Sequence, residues 1–157
     1  MGVVCEAIMQ ALKQVSTGYF ARAKEYAARG YALVSIARTA PWFLAKELNV
    51  YPCEMLNPTK EILAYKDKPE LYEKLYKDFI LRILSVERLI DYLKGIAHQE
   101  QKDKVVLMCY ESPEKFCHRH LVAEWLNKEA GLEHPVEEVE IKNEKEQLDL
   151  LPPPPPC

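Results

Sequence analysis

The sequence predicts an α/β fold: a small, mostly parallel sheet covered by helices. Three observations carry that prediction. Two short, nearly continuous apolar runs, Tyr31 to Ala37 and Lys104 to Cys109, have the pattern of strands buried on both faces. Segments of helical period separate the strand-like runs, so strands alternate with helices through right-handed crossovers. The 157 residues, 48% hydrophobic and 29% charged, have the size and composition of one ordinary globular domain.

Val4, Ile8, Ala11, Leu12 and Val15 recur at helical spacing, while Leu12 and Val15 also fit a short strand ending in the small-residue turn Ser16-Thr17-Gly18. We read a helical leader followed by that strand. Phe20, Ala23, Tyr26 and Ala27 share one stripe and predict a helix from Tyr19 to Arg29, stopped by Gly30. The strand from Tyr31 follows, and Pro41-Trp42 mark the exit into a loop. From Pro41 to Pro69 four prolines with Asn49, Asn57 and Asp67 predict an irregular excursion holding one short helix, Trp42 to Leu48. A loop of that length inside a compact domain is often a lid or binding segment.

Pro69 sits where a helix begins, with Leu71, Leu75, Phe79, Ile83 and Leu84 as its expected inner stripe. Ser85 caps a second helix in which Leu89, Ile90, Leu93 and Ile96 face inward. After the strand Lys104 to Cys109, the chain turns through Phe116 into a helix that ends at Gly131. Pro135 to Ile141 reads as a last strand, followed by an acidic stretch and Pro152 to Pro156, of polyproline II or disordered character. The expected organisation is a leader (1–10), an α/β domain (11–142) and an acidic, proline-rich tail (143–157).

Composition excludes several classes. Charge breaks every apolar run before the ~20 residues a spanning helix needs, so no membrane protein is expected. Glu6, with no basic cluster before the first apolar stretch, argues against a secretory signal, and it stands where N-myristoylation wants Ser or Thr. Lys and Arg total 21 against 24 Asp and Glu, which disfavours a broad nucleic-acid surface and leaves room for a local basic pocket. Five cysteines without a CxxC pair give no disulfide framework and point to a reducing, cytoplasmic compartment.

In parallel sheets ligands bind beyond the carboxyl ends of the strands. That rule selects Ser16 to Gly18, Ser35 to Thr39, and Cys109 to Arg119. The last is dense: Cys109 and Glu111 at a strand end, then Cys117-His118-Arg119-His120 opening a helix. Helix N-terminal amides favour anions and activate nearby thiols, and Arg119 is a planar donor suited to phosphate or carboxylate. At 100° per residue Arg119 shares the side of Val122, Leu126 and Ala130, which faces the sheet.

Structural readings stand beside these. Arg119 reads equally as a buried partner of a carboxylate such as Glu111, His118 as a core or capping histidine, Cys109 as a small buried residue, and Cys117 as an inert thiol. Cys109, Cys117, His118 and His120 are four potential zinc ligands, but neither C-x7-C nor C-H-x-H is a familiar spacing, and no metal is assigned. A Cys109–Cys117 disulfide requires Cα atoms within ~7 Å. Arg38 is either an anion contact or a solvated loop residue, and N-capping explains Ser16 and Thr17 as well as phosphate binding does.

From Cys109-Tyr-Glu111 through Cys117-His-Arg119 the sequence resembles the uncharacterised DUF488 family, with its C-x-E…C-H-R signature. Ser16 to Ala21, Val34 to Arg38 with Pro41-Trp42, and Leu121 to Trp125 also fit, so the resemblance spans about 12–142. It implies a Rossmann-like three-layer sandwich and names no activity.

The function expected is binding of a small anionic ligand, a nucleotide or other phosphate compound, by an enzyme or enzyme-like domain. Arg119, Arg38, Ser35, Ser16 and Thr17 are the anion-binding candidates, and Glu111, Cys117 and His118 the catalytic ones. A structural or interaction module and a thiol redox protein are the alternatives. The sequence assigns no cofactor and no oligomeric state.

Overall fold

The computed structural model describes residues 12–141. The expected helical leader up to Ala11 and the proline-rich tail lie outside the described residues. The elements are β1 (Gln14–Tyr19), α1 (Ala23–Ala28), β2 (Tyr31–Ser35), α2 (Leu44–Glu47), β3 (Val50–Pro52), α3 (Lys60–Leu63), α4 (Pro69–Tyr76), α5 (Val86–Glu100), β4 (Lys104–Cys109), α6 (His118–Glu129) and β5 (Glu137–Glu138). The strands form one sheet in the order β3-β2-β4-β1-β5, and every pair is parallel. The alternation of strands and helices in the sequence thus gives the small Rossmann-like α/β sandwich expected.

Strand β4 is central because both its faces are apolar. Val105, Leu107 and Cys109 join the cluster built with Leu89, Leu93 and Ile96 of α5 and Leu121, Val122 and Leu126 of α6. Val106 and Met108 point the other way, onto Ala23 and Tyr26 of α1. The two-residue side-chain period of a strand makes that division.

Four expectations are corrected. Ser16-Thr17-Gly18 is not a turn: β1 continues to Tyr19, with Ser16 opposite Val106 and Thr17 opposite Leu107. Pairing with β4 and β5 occupies the backbone there, which leaves no phosphate-binding loop. The excursion after Pro41 holds the edge strand β3 and helix α3 besides the short helix α2. The last strand is only two residues, Glu137–Glu138.

The inner stripe of the helix from Pro69 also differs. Leu71, Phe79 and Ile83 are exposed, and Tyr72, Tyr76 and Leu81 are buried instead. Tyr72 to Tyr76 is one α step of four, but Tyr76 to Leu81 is a step of five. A π turn over Lys77–Leu81 inserts the extra residue and rotates the apolar face. Ser85 does cap α5, its hydroxyl accepting from the amide of Arg88.

Gly18 is fixed by a close approach. A Cβ there would lie 2.5 Å from the Tyr26 ring, whose hydroxyl accepts the Tyr19 amide at 3.1 Å. Gly18→Ala is expected to displace Tyr26 and cost about 1–3 kcal/mol, the usual range for overpacking. Urea denaturation of the variant beside the wild type checks this.

Candidate functional site

The chain leaves β4 at Cys109 and returns over the strand's end before α6 begins at His118. Beside it, β2 ends at Ser35 and runs on through Ile36 to Thr39. These two exits, with the segment around α3, border a cleft of about 580 Å³. Arg38, Lys66, Asp67, Glu111, Tyr110, Phe116, Tyr72, Cys109, Cys117 and His118 are among its lining residues. It lies at the carboxyl edge of the sheet, where ligand sites of this architecture form.

Cys117 holds the N-cap position of α6 in extended backbone, and its side chain makes no cap hydrogen bond. Its sulfur is joined to that of Cys109. The two Cα atoms are 7.5 Å apart, beyond the separation set as the limit from sequence. The bridge arises because the loop 110–116 folds the start of α6 back over the end of β4, so both sulfurs point into one cleft. His118 completes the group: the ligand atoms of Cys109, Cys117 and His118 lie within 4.8 Å of one another. His120 is outside that cluster. The three could hold one ion as two thiolates and an imidazole when the cysteine pair is reduced.

His118 is buried, its Nε2 lying 2.7 Å from the Ile36 carbonyl and its Nδ1 3.7 Å from Cys117 Sγ. Burial, which disfavours the charged ring, pushes its pKa down to about 4, and the nearby Arg119 charge works in the same direction. A carbonyl only accepts, so the neutral ring carries its proton on Nε2 and turns the Nδ1 lone pair toward Cys117. The His118 ring also packs 5.4 Å from that of Tyr76.

Arg119 does not reach the cleft. It is 0% exposed, as its place on the sheet-facing side of α6 predicts. Nε and Nη2 each donate to the Glu138 carboxylate at 3.0 Å, and Nη1 donates to the Glu111 carbonyl at 2.6 Å and to Cys109 Sγ at 2.9 Å. Glu138 also accepts from the Thr17 hydroxyl at 2.6 Å.

The other predicted residues divide in the same way. Ser16 accepts from Gln14, and Ser35 closes a turn onto Ala37; both are buried in strands. Neither they nor Thr17 are among the cleft residues, whereas Arg38, Glu111, Cys117 and His118 are. Sequence reasoning missed Lys66 and Tyr72 in the cleft wall and Glu138 as the partner of Arg119. The signal for Glu138 was its place between the buried Val136 and Val139.

The fold and the cleft define a parallel α/β protein with a cysteine–histidine group at the carboxyl edge of its sheet. Residues 35–130 match the family model DUF488-N3a, described as the active DUF488-N3 subclade. The chain belongs to the DUF488 family. The matched span runs from the last residue of β2 to just past α6, and so contains the whole cysteine–histidine group. No curated protein and no solved structure matches the chain.

Two outcomes follow from this geometry. Arg119→Ala leaves the Glu138 carboxylate without its counter-charge in a half-closed site, and a loss of about 3–5 kcal/mol is expected, read as the shift in a urea unfolding curve. His118 ties stability to pH. Its ordinary pKa of 6.5 falls to about 4 on folding, so below pH 6.5 the unfolded chain binds the proton that the folded chain refuses. The contribution, up to about 3 kcal/mol, is present above pH 6.5 and is lost as pH falls toward 4. Melting curves of wild type and His118→Gln are expected to converge across that window.

Proposed function

We propose that the cleft binds a small anionic ligand, a nucleotide or another phosphate compound, and that the protein acts on it as an enzyme of the cytoplasm. The observation that carries this reading is the composition of one cleft. Two cationic side chains, two carboxylates, three aromatic rings and a cysteine–histidine group line a volume suited to a small molecule.

Arg38 and Lys66 are exposed and form no salt bridge among the described residues. They are therefore free to take a phosphate, Arg38 through its planar fork. Tyr110 and Phe116 offer ring surface to a base or other flat group, with the buried Tyr72 ring packed against Phe116 behind them. The Tyr110 hydroxyl, donating to the Thr39 carbonyl at 2.5 Å, links the loops after β2 and β4. Glu111 serves as general base or as acceptor for a sugar hydroxyl, and His118 positions Cys117. Arg119 supports the site from below and takes no part in gripping the anion. The description of the matched subclade as active supports the enzymatic reading.

Calorimetric titration with ADP, ribose 5-phosphate and inorganic phosphate tests the proposal. At least one is expected to bind the wild type, and the Arg38→Ala/Lys66→Ala double variant is expected to bind it about 10–100-fold more weakly. Equal affinity in the double variant, or no binding of any of the three, overturns it.

A further inference from the structure

We infer that Cys109 and Cys117 form a dithiol–disulfide pair that exchanges with a small cellular thiol of the glutathione class, which enters by the cleft. Cys117 is the sulfur attacked first and Cys109 the sulfur that leaves. This goes beyond binding of an anion and does not depend on which anion the cleft takes.

The two sulfurs are bonded to each other, and both residues line the cleft. Their surroundings are unequal. Cys109 Sγ receives an N–H of the Arg119 guanidinium at 2.9 Å. When the bond breaks, negative charge on Cys109 is therefore met at once by a fixed cation, which makes it the better leaving group. Cys117 has no such hydrogen bond among the described residues. Its neighbour is Nδ1 of His118, held with its lone pair toward the sulfur by the bond from Nε2–H to Ile36. That nitrogen is placed to accept a hydrogen bond from the Cys117 thiol once it is released.

Among the described residues no competing thiol is at hand. Cys53 is buried, and burial pushes its pKa up to about 12, so it stays protonated and unreactive.

The chemistry balances with the thiol as reductant. A thiolate attacks Cys117 Sγ, forming a mixed disulfide. The Cys109–Cys117 bond breaks and its electron pair goes to Cys109 Sγ beneath Arg119. A second thiolate attacks the small-molecule sulfur of the mixed disulfide and leaves as the symmetric disulfide, releasing Cys117. Of the two protons given up by the incoming thiols, one goes to Cys117 and one to solvent. Two thiols are oxidised to one disulfide, and the protein disulfide is reduced.

The reverse direction supplies the test. Reduced full-length protein is mixed with oxidised glutathione, quenched in acid, alkylated and mapped by peptide mass, which resolves Cys109 and Cys117 from the other cysteines. The wild type is expected to form the Cys109–Cys117 bond and to retain no glutathione there, because Cys109 displaces it. Cys109→Ser, in which a hydroxyl can still accept from Arg119, is expected to retain one glutathione on Cys117. Cys117→Ser is expected to take glutathione on Cys109 at least roughly tenfold more slowly, since Cys109, 2% exposed, lies deeper than Cys117 beneath the strand end and is less open to an incoming disulfide.

Four results overturn the inference. In the wild type, both thiols remain open to alkylation after oxidation, or glutathione stays on Cys117. In Cys117→Ser, Cys109 reacts as fast as Cys117 does in Cys109→Ser. In protein as purified, an equivalent of zinc protects both thiols. The wild-type results stand alone if either variant fails to fold, and none of them bears on the phosphate titration.

Discussion

A guanidinium with no exposed surface is a severe demand on a protein of this size, because an unpaired buried charge is far costlier than any single hydrogen bond is favourable. Arg119 meets it with four acceptors from three directions: both oxygens of Glu138, the Glu111 carbonyl and the Cys109 sulfur. Each acceptor is thereby fixed in place. Glu138 belongs to a strand only two residues long, too short for its backbone ladder to hold alone. Its bidentate pairing with Arg119 and its bond from Thr17 clamp that strand to the edge of β1. The Glu111 carbonyl fixes the path of the chain leaving β4, and so the height of the cleft wall. Because Arg119 follows His118 at the start of α6, the same clamp sets the direction in which His118 enters.

The alternation of strands and helices was legible because it rests on periodicity, which is local. Tyr31 to Ser35 and Lys104 to Cys109 are strands buried on both faces, as their short, nearly continuous apolar runs between helix-period segments predict. Features that depend on partners were not legible. Ser16-Thr17-Gly18 has turn composition, yet neighbours on both sides pair it into β1. Nothing local announces that Gly18 is there to admit the Tyr26 ring. The helix from Pro69 failed differently: the inner stripe was set on Leu71 where Tyr72 and Tyr76 are the buried pair, and the π turn at Lys77–Leu81 then carries the buried face on to Leu81 in place of Phe79.

The strand-end rule led to the junction that borders the cleft, and helical arithmetic put Arg119 on the buried side with Val122 and Leu126. The missing step was that the sheet-facing side of a helix after a strand end lies beneath the cleft rather than in it. Residues at the helix's first turn and in the loop before it, Cys117, His118 and Glu111, reach the opening. Residues a step further along, such as Arg119, are drawn under it. Whether a polar residue near such a junction binds ligand is thus decided by about one residue of phase, and nothing local to Arg119 pairs it with Glu138, 19 positions away.

The clamp and the cleft are not separate devices, since they share an atom. Cys109 Sγ is an acceptor for Arg119 on one side and part of the cleft lining on the other. A structural reading of Arg119 therefore does not compete with a chemical reading of the cysteines. The cation needed to bind Glu138 is the same one that faces the sulfur. Its charge is held there by a carboxylate on another strand, not by the cleft or its contents. Any chemistry at Cys109 then proceeds in a field the fold has already fixed, and the donor need not move when charge develops on sulfur. Such preorganisation is the condition under which a single hydrogen bond influences a reaction most strongly. It also explains why these elements are arranged with a two-residue strand at the edge: β5 contributes little as a strand, but it delivers Glu138 to the far side of Arg119 and leaves Nη1 turned toward Cys109.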